Sequence, residues 1–228
     1  MGNENTSATI KEQYAFLQSR LTRVSEDSHL SNTPPHIIAV SKKQPEARIE
    51  KALACGIRHF GENRVQEAQS RWQPRKADYP DLTLHLIGPL QSNKAAEAVT
   101  LFDVIHSVDR KKIADALAKE MQKQDKHVPC FVQVNTGNES QKSGVSPEEA
   151  ENFVRYCVQE ARLNIIGLMC IPPASENPAP HFALLKQLAD MLGLKELSMG
   201  MSNDYELAAR LGATYVRLGT CLFGERDQ

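Results

Sequence analysis

His36-Ile37-Ile38-Ala39-Val40-Ser41-Lys42-Lys43 runs from an apolar, β-branched segment into two adjacent lysines, with Pro34-Pro35 before it and Gln44-Pro45 after it. Short apolar runs bounded by turn residues read as strands buried on both faces. This one predicts a strand over residues 36–42. A lysine where such a strand leaves the core has two readings. It is a solvated strand end, or it is an amine whose desolvated surroundings lower its pKa and leave it nucleophilic toward a carbonyl.

Working outward, the chain alternates strand and helix. Further strands are predicted over 58–62, 83–88, 103–108, 129–135, 163–170, 196–201 and 214–219. Helices are predicted over 46–55, 63–72, 92–100, 110–124, 147–161, 179–192 and 203–211. Gly56, Gly193 and Gly212 sit just past helical patterns, where C-terminal glycine belongs. Ser146-Pro147-Glu148-Glu149 offers an N-cap, a proline at the first helical position and an acidic first turn. Asn203 and Glu206 have capping-box spacing. Crossover helices between successive strands make the strands parallel, and eight such units are the count of a (β/α)8 barrel. The fold class is therefore α/β, a single TIM-type barrel domain over 36–224 of the 228 residues. An open doubly wound sheet is the other arrangement that the same strand count allows. Ile10, Tyr14, Leu17, Leu21 and Val24 form one apolar stripe over residues 9–25, an additional N-terminal helix that covers the barrel in place of an eighth outer helix.

Composition narrows the class of function. With 41% hydrophobic and 24% charged residues the chain has the profile of a soluble globule with a sizeable core. The formal net charge of −1 and the absence of a basic tract argue against nucleic acid or an anionic membrane as partner. No apolar run approaches membrane-spanning length and no signal peptide precedes the fold. Cys55, Cys130, Cys157, Cys170 and Cys221 are scattered and odd in number, which reads as reduced packing residues in a cytoplasmic protein. The histidines show no ligand spacing, so no metal is expected. Met1 to Thr6 matches the short myristoylation pattern without flanking basic residues.

In a barrel the chemistry gathers at the C-terminal ends of the strands. Those positions hold Lys42 after strand 1, Glu62-Asn63 after strand 2 and Gly88 to Lys94 after strand 3. Asn135 to Gly144 follows strand 5, Met169 lies near the end of strand 6, Ser202-Asn203 follows strand 7, and Arg217 with Gly219-Thr220 belongs to strand 8. Free N–H groups where strand 7 turns into a helix, with the Ser202 hydroxyl beside them, suit an anion. Gly219 lets backbone approach an anion and Thr220 adds a hydroxyl. Barrels hold phosphate between these two loops. Ser202 as a plain cap and Gly219 as a plain bulge are the competing readings. Strand 8 closes on strand 1, so a phosphorylated aldehyde would be held at both ends, and pyridoxal 5'-phosphate (PLP) fits that description. Arg217 then suits the pyridine nitrogen as a permanent donor, which weakens the ring as an electron sink. A salt bridge from Arg217 to Glu62 is the alternative.

These segments carry a resemblance. Ala39-Val40-Ser41-Lys42, Phe60-Gly61-Glu62-Asn63 with Gln66-Glu67, and His85 to Lys94 are similar to the pyridoxal phosphate homeostasis protein family, whose barrel is related to the N-terminal domain of the alanine racemases. Gln141-Lys142-Ser143-Gly144, Gly167-Leu168-Met169, Leu197 to Asp204, Val216 to Thr220 and Phe223-Gly224 continue the similarity over residues 36–224. The resemblance implies a PLP fold type III barrel without the C-terminal β-domain, with the cofactor as an aldimine on Lys42. It implies Ser202, Gly219 and Thr220 at the phosphate, Arg217 at the pyridine nitrogen, and Asn63 and Met169 near the ring. It makes Lys142 a second functional lysine that receives or releases PLP. Strand alternation sends Lys42 and Lys43 to opposite faces, and only the resemblance selects Lys42 between them. His85 lies mid-strand and reads as a satisfied core histidine. The Gln91-Ser92-Asn93-Lys94 turn reads as a helix cap that lends polar groups to the rim.

Three functions share these residues. The first is intracellular PLP (vitamin B6) homeostasis. A cytoplasmic monomer buffers PLP and supplies it to PLP-dependent apoenzymes, with no catalytic residue assigned and no efficient turnover. The second is a PLP-dependent amino-acid racemase, which needs a base on each face of the substrate carbon. The resembling racemases take the second base, a tyrosine, from a further β-rich domain for which a chain stopping at Gln228 has no room. Tyr205, early in a predicted helix, offers no evident substitute. The third is a PLP-free sugar-phosphate barrel, for which Arg217 has no ring nitrogen to serve. The sequence favours the first.

Overall fold

The computed structural model describes residues 9–28, 33–139 and 141–224; the Met1–Thr6 pattern lies outside them. Eight parallel strands close into a barrel in sequence order. They are β1 (His36–Val40), β2 (His59–Glu62), β3 (Thr83–Leu86), β4 (Val104–Val108), β5 (Cys130–Val134), β6 (Ile165–Cys170), β7 (Glu196–Met201) and β8 (Tyr215–Leu218). The seam is paired in register, Ile38 with Arg217 and Ala39 with Leu218. That closure removes the open-sheet alternative. It also brings the loop after β1 beside the loop after β8, the adjacency on which the two-ended site depends.

The crossovers are α2 (Glu46–Ala54), α3 (Val65–Trp72), α4 (Ala95–Leu101), α5 (Lys111–Gln124), α6 (Pro147–Gln159), α7 (Pro178–Met191) and α8 (Tyr205–Arg210), with α9 (Thr220–Phe223) after β8. Local chemistry explains the ends. The Ser146 hydroxyl accepts from the Glu149 N–H, and Pro147 occupies the first helical position. Gly56, Gly193 and Gly212 all take positive φ after their helices. The predicted Asn203–Glu206 capping box does not form. Asp204 occupies the N-cap of α8, its carboxylate accepts from the Met201 N–H at 2.6 Å, and Glu206 is drawn away to Arg20. The helix predicted over 92–100 is a 3-10 turn (Ser92–Lys94) followed by α4, without a side-chain cap from Gln91.

The N-terminal helix α1 (Ile10–Glu26) starts in a full capping box between Thr9 and Glu12. It packs on α2, α8 and α9. Its buried face is Leu17, Leu21 and Val24, and Arg20 reaches Glu206 of α8 at 2.7 Å. The helix thus covers the flank where α9 is only four residues long.

The main core lies between barrel and helices, with Phe60 against Trp72 at 4.5 Å among its largest members. A smaller layer of Val104, Phe131 and Met169, flanked by Ile166, Ile171 and Tyr215, fills the interior. Toward the N-terminal end the interior turns polar. His59 Nδ1 meets His85 Nε2 and His85 Nδ1 meets His106 Nε2, each at 3.0 Å. His85 is thus a core histidine, hydrogen-bonded on both ring nitrogens. Burial holds His85 and His106 well below the ordinary imidazole range, so both are neutral.

All five cysteines are free. Burial pushes the Cys157 and Cys170 thiols up to about 12, which makes them inert packing groups.

Candidate functional site

A cavity of about 710 Å³ opens at the C-terminal mouth of the barrel. Seven of the eight residues singled out from the sequence line it: Lys42, Asn63, Lys142, Ser202, Arg217, Gly219 and Thr220. Met169 does not. It is fully buried in the interior layer with Phe131 and Val104, below the lining residue Ile171 two positions further along the chain.

Lys42 is placed by a turn, not by strand pleating. β1 stops at Val40, and the Gln44 N–H donates to the Ser41 carbonyl at 3.0 Å across Lys42 and Lys43. The expectation that alternation separates the two lysines is corrected accordingly. Lys43 takes φ of 58° and lines a different, outer groove with Glu46 and Arg71, while Lys42 enters the barrel mouth. The Lys42 amine makes no hydrogen bond or ion pair with any described residue, and it is half-buried. A free amine facing a cavity is available to a carbonyl ligand.

Asn63 is held at the rim by a close backbone approach. A Cβ on Gly88 would lie 2.3 Å from the Asn63 carbonyl oxygen, so only glycine lets β3 end there. At the end of β7, Gly200 has φ of 92° and a Cβ there would meet Ala208 at 2.5 Å. Glycine therefore lets α8 pack tightly behind the Ser202 turn. The Ser202 hydroxyl accepts from the Cys221 N–H at 3.4 Å, a long contact that links the loops after β7 and β8. Gly219 is the N-cap of α9, not a bulge. A Cβ on it would make only ordinary contacts, the nearest at 3.7 Å to Val40, so packing does not demand glycine there.

Arg217 is 4% exposed. Its Nη1 donates to Ser198 Oγ and its Nη2 to the Cys170 carbonyl, both at 2.8 Å. No carboxylate among the described residues pairs with it. Glu62 faces outward from β2 and accepts instead from Ser41, Trp72 and Arg71, which removes the Arg217–Glu62 alternative. Burial lowers the Arg217 pKa, against the opposing pull of Cys170 and Asp204. It remains a cation held by neutral acceptors at the edge of a cavity.

Lys142 stands across the mouth, paired with Glu139 at 2.5 Å and 3.4 Å from the Pro172 carbonyl. Unlike Lys42, its amine is engaged. The Gln91 to Lys94 turn does not line the cavity; Lys94 pairs with Glu97 at 2.9 Å. Tyr205 also lies outside it, donating to Glu206. The sequence reading missed the wall made by Ile171, Pro172, Pro173 and Ala174. These residues follow strand 6, where the strand-end rule points, but their side chains carry no chemistry to draw the eye.

The fold and this mouth, with Lys42 and Arg217 lining one cavity, define a parallel (β/α)8 barrel with a polar C-terminal pocket, and comparison with known proteins narrows the class. The alanine racemase N-terminal domain family matches residues 17–227. The pyridoxal phosphate homeostasis protein of Pseudomonas aeruginosa is 42% identical over 225 residues, covering 96% of this chain and 97% of that one. Among solved structures, PipY of Synechococcus elongatus PCC7942 without PLP aligns at a TM-score of 0.84 and 40% identity over 94% of this chain and 100% of that one. Its PLP-bound form aligns at 0.80 and 38% identity over the same shares. An alanine racemase of Clostridium difficile shares the fold at a TM-score of 0.70 and 14% identity, over 95% of this chain and 57% of that one. The chain belongs to the pyridoxal phosphate homeostasis protein family, within the wider group of alanine racemase N-terminal barrels.

Proposed function

We propose that the protein holds PLP at the barrel mouth and acts in PLP homeostasis, as a cytoplasmic monomer that buffers the cofactor and passes it to PLP-dependent apoenzymes. One observation carries this reading. An amine (Lys42) and a buried guanidinium (Arg217) that have no ion-pair partner among the described residues line the same cavity. A buried cation without a counter-charge is costly, and a bound polar ligand offsets that cost. When bound, PLP supplies an aldehyde for covalent attachment to the Lys42 amine as a Schiff base. Ser202, Gly219 and Thr220 would hold the phosphate, with Arg217 at the ring nitrogen and Asn63 beside the ring. Met169 would act from beneath, through the interior layer. Lys142 would receive or release the cofactor.

The test is an absorbance spectrum of the purified protein, then borohydride reduction and peptide mass mapping, with an amino-acid racemase assay alongside. The expected result is a yellow protein with pyridoxyl mass on Lys42 and no efficient racemisation. A colourless protein that takes up no added PLP would sink the reading, and rapid racemisation would replace it with the enzyme.

A further inference from the structure

Two adjacent lysines follow β1, yet only Lys42 enters the cavity, and the reason lies outside the barrel. Arg71 of α3 reaches over the turn. Its Nη1 donates to the Ser41 carbonyl at 2.6 Å and its Nη2 to the Gln44 carbonyl at 2.9 Å, one bond on each side of the lysine pair. The same Nη1 reaches Glu62 Oε1 at 3.1 Å, and Nε bonds Glu46 at 2.9 Å. Glu62 completes the bracket. Its Oε1 also accepts from Ser41 Oγ at 2.6 Å and from Trp72 Nε1 at 2.9 Å. The carboxylate is fully buried, and its Oε2 has no partner.

This is a large polar investment around a turn. A non-glycine residue at positive φ, as Lys43 is, costs of order 1–3 kcal/mol and persists only where its surroundings over-determine it. The Arg71 fork fixes both carbonyls that flank the pair. It holds Lys43 in the left-handed region, with its side chain in the outer groove beside Glu46 and Arg71.

We infer that Arg71 and Glu62 are positioning residues that select Lys42 over Lys43 as the lysine presented to the cavity. Neither lines the cavity itself. The inference rests on the PLP reading above, and its test separates the two. One equivalent of PLP is added and trapped with borohydride, and the pyridoxyl mass is mapped to individual lysines. The amine and aldehyde lose water to form the imine. Hydride from borohydride and a proton from solvent then fix it as a secondary amine.

The variants are Arg71→Met/Glu62→Gln, which removes the paired charges together, and Arg71→Lys, which keeps the charge and loses the fork. Each is labelled below its own thermal unfolding midpoint. In both, Lys42 labelling slows about tenfold or more, in line with the loss from a misplaced reacting group, and Lys43 takes a share of the label. In Lys42→Ala with the bracket intact, Lys43 stays unlabelled; combined with Arg71→Lys it becomes labelled. Wild-type rate and exclusive Lys42 labelling in both bracket variants would overturn the inference alone. So would efficient Lys43 labelling in Lys42→Ala. A wild-type chain that takes no label on Lys42 would overturn the PLP reading, and the inference with it.

Discussion

Arg217 Nη1 donates to Ser198 Oγ at 2.8 Å across the β7–β8 boundary, and this contact aims a buried guanidinium that has no anionic partner among the described residues. With Nη2 on the Cys170 carbonyl, the side chain is fixed from two strands by neutral acceptors, leaving further N–H donors uncommitted. Removing the ion relieves its desolvation cost but leaves Ser198 Oγ and the Cys170 carbonyl without their donor. The proposed ligand contact is lost as well. Arg217→Met is expected to stay folded, with an unfolding temperature at or below that of the wild type, and to bind PLP about tenfold or more weakly, the scale of one hydrogen bond to a charged donor. An absorbance titration reads both affinity and band position. Equal affinity with an identical spectrum would remove Arg217 from the ring nitrogen.

Lys42→Ala isolates the anchor. The Lys42 amine has no partner among the described residues to lose, and its turn is held by backbone and Arg71 contacts. The fold should therefore change by less than about 0.5 kcal/mol, the range of substitutions away from packed features. Covalent pyridoxyl labelling should fall to background. Matched denaturation and borohydride-trapping experiments check both halves. A retained wild-type band would place the anchor elsewhere.

Much of this arrangement was legible in the chain. β7 and the first residues of all seven crossover helices fall within two or three positions of where periodicity puts them, because turn residues punctuate each boundary. Ser202, Arg217, Gly219 and Thr220 could be gathered into one cavity from distant segments because barrel closure is a strong rule. Two things were not legible. The separation of Lys42 from Lys43 depends on where β1 stops and on an arginine 28 positions further on, and neither leaves a periodic signal. The Ile171–Ala174 wall is apolar and proline-rich, so residue chemistry does not mark it as part of a site. Met169 shows the converse. Its strand-end position suggested the rim, but strand pleating turns its side chain into the interior layer.

The attachment of α1 offers a choice between charge and burial. Arg20 and Glu206 form a two-bond pair, but both side chains are substantially exposed, at 41% and 30%. Exposed pairs contribute about 0–1 kcal/mol. Leu17 and Leu21 are each 1% exposed, and truncating a buried leucine to alanine costs about 2–5 kcal/mol. Leu21→Ala should thus destabilise far more than Glu206→Gln. Urea midpoints compared at low and high salt decide the matter. A Glu206→Gln loss as large as that of Leu21→Ala would make the ion pair the principal anchor of the helix.

The histidine row predicts how stability depends on pH. In the unfolded chain these imidazoles protonate near pH 6.5. In the fold, burial and the neighbouring histidines hold His85 and His106 well below that, and Arg217 adds to the effect at His106. Between the folded and unfolded values the unfolded chain binds more protons, so stability rises with pH and falls on acidification. The slope is about 1.4 kcal/mol per pH unit for each histidine. From about one pH unit above 6.5 both states are neutral and this contribution is flat. Between pH 6 and 5 the two together should remove stability on the order of 1–3 kcal/mol. His106→Gln, neutral at every pH and still able to meet the His85 ring, should show roughly half that slope. Urea unfolding at pH 7, 6 and 5 measures it. Equal stability at pH 7 and 5 would mean that the imidazoles accept protons within the folded barrel, and that its interior admits charge and water from the N-terminal face.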